Sequence, residues 1–422
     1  MEKADSGRDY RYMLTKRVVI GLFLVSLFAT VTNLIPLSIS FTLLVILLPV
    51  LLWRFFKEPV EPVLILLLCM YIYYLLSALL YSPETLLEVD FYRRDGNFFA
   101  TFMPMLILGL IPLSIPLEKV IKIFVPWSAV FLLGAYLLLP AEAPHLHHLS
   151  FIAHNAAGGF VSVVLALCIG QALQRGSWVY IPMCIVLAFL LFETGSRGSM
   201  LAVVIALVQV LVLKERWNKL VVAGAVLAMV ALLAFTYPAW IESGKPYEYQ
   251  PGAELLHNFR SHTIVTRSNY LWPRALDNFL KSPIFGQGFG SYNDVPYEFT
   301  DYGFAVLNTN RNVINDDAHA HHSFLHLMSE TGLIGLGLMV VFLVMLHRLL
   351  RTANLPPGAA LGLQIAFWVI IWSSFTEHRL TTPSQVLSFS ILVGFVLASV
   401  RESRVQAGGV VLEGTPAVGD SG

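Results

Sequence analysis

Charge is scarce in this sequence. Only 13% of its 422 residues are charged, against roughly 25% in an ordinary soluble domain. The 27 basic and 27 acidic residues cancel, so no bulk field draws a nucleic acid or another polyanion. Cysteine is scarce too. Three residues cannot make a disulfide framework, and Cys69, Cys168 and Cys184 all fall in apolar runs, where a thiol acts as a small hydrophobe. No Walker or Rossmann glycine pattern appears on the cytoplasmic segments assigned below, which excludes cytoplasmic nucleotide as fuel. No internal repeat is visible, which counts against an inverted-repeat transporter. What is abundant is hydrocarbon, at 56% of residues. That excludes a soluble globular enzyme and a disordered chain. It points to an all-α, polytopic integral membrane protein.

Windows long enough to cross about 30 Å of hydrocarbon fall near 18–36, 38–53, 62–81, 97–114, 120–140, 154–173, 178–194, 199–213, 219–237, 332–347, 359–376 and 384–400. The expected plan is about 12 transmembrane helices. Residues 1–17 form a polar tail, 18–237 the first nine spans, 238–320 one long loop, 321–400 the last three spans and 401–422 a second tail. Lysines and arginines such as Lys16, Arg17, Lys214, Lys219, Arg348 and Arg401 gather on short segments sharing the N-terminal side. By the positive-inside rule both tails are cytoplasmic and the long loop lies outside. All twelve histidines but His347 then fall on the outer side. The first apolar run has no small-residue cleavage site at its end, so it reads as a retained helix.

The loop holds SNYLWPRALDNFLKSP, where Trp272, Ala275, Leu276, Phe279 and Leu280 recur at helical spacing. It reads either as a surface helix with Arg274, Asp277 and Lys281 solvated, or as a helix lying apolar side down on the membrane. GQGFG at 286–290 resembles a phosphate cradle but lacks the strand and helix that a dinucleotide fingerprint needs, so it reads as a flexible turn. Arg260, Arg267, Arg274 and Arg311 are the loop's arginines that could face an anion. Arg197 sits where two spans meet, either paired with Glu193 or matching phosphate oxygens with its planar fork. The densest chemistry is DDAHAHHSFLHLMSETGLIGL, from Asp316 to Leu336. Three readings compete there: a metal site using His322, His326 and Asp316-Asp317, acid–base chemistry by one imidazole, and a merely polar start to a helix.

His321, Leu325, Glu330, Gly332 and Gly335 stand at the offsets of a His-Asn-x-x-Leu…Glu-x-Gly signature, with His322 where asparagine is usual. His319-Ala-His321 matches its His-x-His variant. Arg197 in GSRGS, Arg267 with PRAL…PIFGQGFGSY, and His154-Asn155 add weaker matches. On these residues the sequence resembles the O-antigen ligase and O-antigen polymerase superfamily of bacterial envelope glycosyltransferases. The resemblance implies a membrane glycosyltransferase (GT-C-like) in the bacterial inner membrane with a periplasmic active site. Its donor would be undecaprenyl-pyrophosphate-linked O-antigen. The acceptor would be a lipid A–core hydroxyl in a ligase, the expected activity, or another carrier-linked repeat in a polymerase. Such ligases are thought to invert the anomeric centre without a metal, so no cofactor, metal or nucleic acid is expected. Carried onto this chain, His321 is the expected base, with His322 second. Arg197, Arg267 and Arg274, with Arg260 and Arg311, would bind the pyrophosphate; His319, His326 and Glu330 would support. The rival of another class is a transporter or flippase of an anionic lipid.

Overall fold

A computed structural model describes residues 60–213, apart from 89–90, 93, 111–115, 142–145, 152 and 175–177, and then 267, 271–293 and 319–413. The windows 18–36, 38–53 and 219–237, the tail 1–17, residues 414–422, most of the long loop, and Arg260, Arg311 and Asp316-Asp317 lie outside the described residues, while 401–413 of the expected second tail continue the last helix.

All regular elements among the described residues are helical. They are α1 (Pro62–Tyr81), α2 (Asn97–Leu110), α3 (Leu117–Leu138), α4 (His154–Ala172), α5 (Tyr180–Glu193), α6 (Arg197–Leu213), α7 (Trp272–Lys281), α8 (Ser323–Thr352), α9 (Pro357–Ser373) and α10 (Pro383–Glu413). All except α7 coincide with expected windows. Lipid offers backbone groups no hydrogen bonds, so a spanning run must satisfy its own, which a helix does. Proline marks the starts of α1, α7, α9 and α10, where its missing N–H interrupts nothing. By length and composition α1, α3, α4, α8 and α10 can cross a membrane, while α2, α5, α6 and α9 are shorter apolar helices.

Helices α4, α9 and α10 form the centre. α4 packs on α9 so closely that a Cβ at Gly170 would lie 2.3 Å from the backbone nitrogen of Gly362, the small-residue approach common between membrane helices. The outer helices turn large apolar side chains outward: Ile72, Leu76 and Leu80 on α1, Trp127 and Leu138 on α3, Ile185 and Phe192 on α5. Water would penalise such a surface, and hydrocarbon does not.

Helix α8 breaks at Gly332 (φ 63°, ψ −164°). The 283–288 turn fills the break. Leu333 and Ile334 donate to the carbonyls of Pro283 and Ile284, while Gln287 and Gly288 donate to those of Ser329 and Glu330. A Cβ at Gly332 would lie 2.3 Å from the Ile284 carbonyl oxygen. GQGFG is therefore neither a phosphate cradle nor a flexible turn. The amides of Gln287 and Gly288 are taken up by α8 carbonyls and that of Gly286 by Ser282, and Phe289 stacks on Tyr74 with ring centroids 5.0 Å apart.

Candidate functional site

The starts of α2, α4, α6 and α8 converge on the linker 374–382 between α9 and α10. Ser323 fastens α8 to this linker: its N–H donates to Ser374 O at 2.8 Å, and its hydroxyl accepts from Arg379 N at 2.7 Å. Asn155, at the start of α4, donates to Glu377 Oε1 at 3.3 Å. Gly198, at the start of α6, lies so close to Thr376 that a Cβ would come within 2.4 Å of its hydroxyl.

His321 is the residue through which α8's approach turns. Its φ of +47° is unusual for a side chain larger than glycine. The half-buried ring places Nδ1 2.8 Å from Glu377 Oε2. Arg267 Nη2 donates to Glu377 Oε1 at 2.7 Å and Nη1 to Thr376 O at 2.7 Å; Nη2 also lies 3.4 Å from His321 Nδ1. The shorter contact fixes the proton on Nδ1, because a carboxylate oxygen can only accept: Nδ1–H donates to Glu377. Burial pushes the Glu377 carboxyl up. The hydrogen bond from His321 and the guanidinium groups of Arg379 and Arg267 outweigh it and hold Glu377 at about 2. Glu377 is thus a carboxylate at any ordinary pH.

His322, not His321, caps α8. Its Nδ1 accepts from Leu325 N at 3.2 Å, the task an asparagine performs equally well. Its ring lies among Trp272, Phe324 and Phe375, and burial lowers its pKa. His326 and Glu330 do share a face, 3.4 Å apart.

A second group lies behind. His326 Nε2 contacts Asp95 Oδ1 at 2.8 Å, and His378 Nε2 is 3.4 Å from the same oxygen. His319 stacks on His378 with centroids 4.4 Å apart. Burial raises the Asp95 carboxyl, but the His326 charge and the His326 and His378 hydrogen bonds hold it well below the usual carboxylate range. Burial, with His326 beside it, pushes His378 down to about 4 despite the pull of Asp95. Asp95, His319, His326 and His378 could hold a metal ion, their ligand atoms all lying within 4.8 Å of one another. The metal set expected from spacing was different: His322 is occupied as a cap, and Asp316-Asp317 are not described.

Arg197 opens α6 with its side chain exposed. Arg274 is only 1% exposed; it donates from Nη2 to Tyr292 O at 2.5 Å and lies 4.2 Å over the Tyr292 ring. Tyr292 in turn donates its N–H to Glu330 Oε1 and sits against His326. Arg274 therefore joins the second group, away from His321. Helix α7 is correspondingly inverted: Arg274, Asp277 and Asn278 are buried while Leu276 and Leu280 face out. Arg274 and Asp277 are thus not solvated as a surface helix would have them, whereas Lys281 is; of the expected apolar residues Leu276 and Leu280 are exposed and Ala275 is buried.

Sequence reasoning missed Glu377, Asp95, His378 and Arg379. The available signal was FTEHRL, a cluster of charge in the short connection between two apolar windows. Nothing local tied Asp95 to the histidines.

An all-helical membrane scaffold thus carries a histidine–carboxylate–guanidinium site at the meeting of its helix ends. Residues 182–340 match the family model described as O-Antigen ligase. The match spans Arg197, Arg267 and the 319–335 histidine motif, the residues on which the sequence resembles that family. No curated protein matches the chain.

Proposed function

We propose that the protein transfers O-antigen polysaccharide from undecaprenyl pyrophosphate to a lipid A–core hydroxyl, on the periplasmic face of the bacterial inner membrane. The observation that carries this reading is the Arg267–Glu377–His321 arrangement, with two of its three members inside the family match. Glu377 orients the His321 ring through Nδ1, as a carboxylate does in hydrolase triads. Nε2 takes the acceptor's proton. The acceptor oxygen attacks the anomeric carbon from the face opposite the pyrophosphate, whose C–O bond breaks with its electrons passing to phosphate oxygen. The configuration inverts.

A pyrophosphate leaves readily once its charge is offset. Arg197, exposed at the first residue of α6, is the principal clamp, because its fork matches phosphate oxygens and a helix N-terminus favours an anion. Arg267 already gives two N–H groups to Glu377 and Thr376. It positions the base and adds positive field, as buried Arg379 does. Arg274 acts from behind, through Tyr292 and Glu330. Helix α7 turns Leu276 and Leu280 toward the carrier's hydrocarbon. No metal takes part at the reacting atoms.

The test is a deletion strain complemented with wild-type or His321→Ala protein. Loss of transfer should leave carrier-linked polymer and bare lipid A–core. Accumulated single repeat units would make the protein a polymerase instead. Normal lipopolysaccharide with His321→Ala overturns the assignment. Phosphatase reporters fused after residues 250 and 405 should be active at the first position only, and the opposite pattern sinks the orientation.

A further inference from the structure

Four polar side chains behind His321 have no part in the transfer just described. Asp95 precedes α2, His319 precedes α8, His326 lies in its first turns and His378 sits in the α9–α10 linker. Asp95 and His326 are 0% and 1% exposed, and His378 is 8% exposed. Three imidazoles crowd one carboxylate: the His378 ring lies 4.1 Å from that of His326 and 4.4 Å from that of His319. Such crowding is unfavourable for groups that each carry a proton to place, unless something accepts several lone pairs at once.

Three imidazole nitrogens and one carboxylate oxygen are a donor set for a borderline divalent ion. Zinc–ligand bonds of roughly 2.0–2.1 Å put tetrahedral donors about 3.3 Å apart. Asp95 Oδ1 is 2.8 Å from His326 Nε2 and 3.4 Å from His378 Nε2, and all four ligand atoms lie within 4.8 Å of one another. Closing the widest pairs asks for a shift of about 1.5 Å by a side chain such as His319. Thr381, which contacts His378 Nε2 at 2.5 Å, would give up that partner. The contact from Ala320 N to His326 Nδ1 is long, at 3.4 Å, and yields readily.

We propose that Asp95, His319, His326 and His378 bind one divalent transition-metal ion of the zinc type, which pins three chain segments together behind His321. The ion's place is structural, and the proposal stands apart from the transfer reading because it is read without turnover.

Full-length protein in detergent is loaded with zinc, desalted and assayed for metal by atomic spectrometry. About one zinc per chain is expected, with a higher thermal midpoint in Zn2+ and none of that rise in Mg2+, which prefers oxygen donors. Cobalt substitution should give the visible absorption of a tetrahedral site. His378→Ala and Asp95→Asn should each lose the metal and the thermal response, while His347→Ala, near the other end of α8, keeps both. Wild-type protein that retains no zinc, or shows no thermal response, overturns the proposal whatever the variants do. Zinc retained equally by a folded His378→Ala protein overturns it too.

Discussion

His321 and His326 stand five residues apart and do different work. His321 is half-buried, held by a carboxylate that two arginines keep ionised, with one nitrogen directed away from its partner. His326 is enclosed, facing Asp95 and Glu330 with no exposed edge. Both belong to the same short motif. The difference comes from what distant segments bring: the α9–α10 linker supplies Glu377 to one, and the turn before α2 supplies Asp95 to the other. The left-handed backbone at His321 turns the chain so that the two rings part. An imidazole's role is set here by the carboxylate it meets and by whether a second nitrogen stays reachable.

The most direct way to break that contrast is to remove each ring. His321→Ala should insert and fold normally yet lose about 10²–10⁴-fold in transfer rate, the usual cost of a missing general base. Glu377→Gln should fall nearly as far, because an amide that turns its NH2 toward Nδ1 forces the wrong tautomer. Both are read as kcat at matched protein levels. His322→Ala dead with His321→Ala near wild type would reverse the base assignment. That reversal conflicts with the cap bond His322 already makes to Leu325.

His326→Ala should fail differently. It strips a partner from a carboxylate that is 0% exposed, and breaking a buried pair typically costs about 3–5 kcal/mol. The expected result is a lower thermal midpoint and less protein in the membrane, with activity per folded molecule reduced far less than for His321→Ala. Equal stability but no turnover would place His326 at the reacting atoms.

Arg197 sharpens the comparison on the donor side. Arg197→Ala is expected to cost about 10²-fold in kcat, the scale of losing one donor to developing charge. Arg197→Lys should restore little of it, because an ammonium cannot reproduce the planar fork. Full activity in the lysine variant would mean that charge alone suffices.

Much of the framework was legible in the sequence. Apolar runs of spanning length can only be helices in lipid, so nine windows coincide with helices; the remaining three are not described. His321, which the structure sets against Glu377 and Arg267, was legible through its motif offset, and the position of Arg197 at the start of α6 through the meeting of two apolar windows. Glu377 and Asp95 were not, since each lies some 50 residues or more from the histidine it contacts and only tertiary packing brings the start of α8 to the α9–α10 linker and to the turn before α2. Arg274 looked like a solvated residue because helical spacing identifies the apolar side but not which side faces protein. In lipid the apolar face turns outward and the polar one inward. The kink at Gly332 was hidden because nothing near it in sequence announces that 283–288 will occupy the break.

The smallest effect expected belongs to Asn155, which touches the His321 group only through Glu377. Its Nδ2 donates to Glu377 Oε1 over 3.3 Å, where Arg267 already donates at 2.7 Å. A long, partly buried bond to an oxygen with a better donor contributes about 0.5–1.5 kcal/mol, or up to roughly tenfold in rate. Asn155→Ala should therefore lower kcat by less than about tenfold and leave KM for the carrier-linked donor unchanged. Asn155→Asp has a definite sign as well: it sets a second carboxylate against Glu377, drawing Arg267 from its partner, and should be worse than alanine. If Asn155→Ala were as inactive as His321→Ala, or raised KM sharply, the amide would have to contact a substrate. The Glu377 group would then extend to the start of α4 as part of the binding surface.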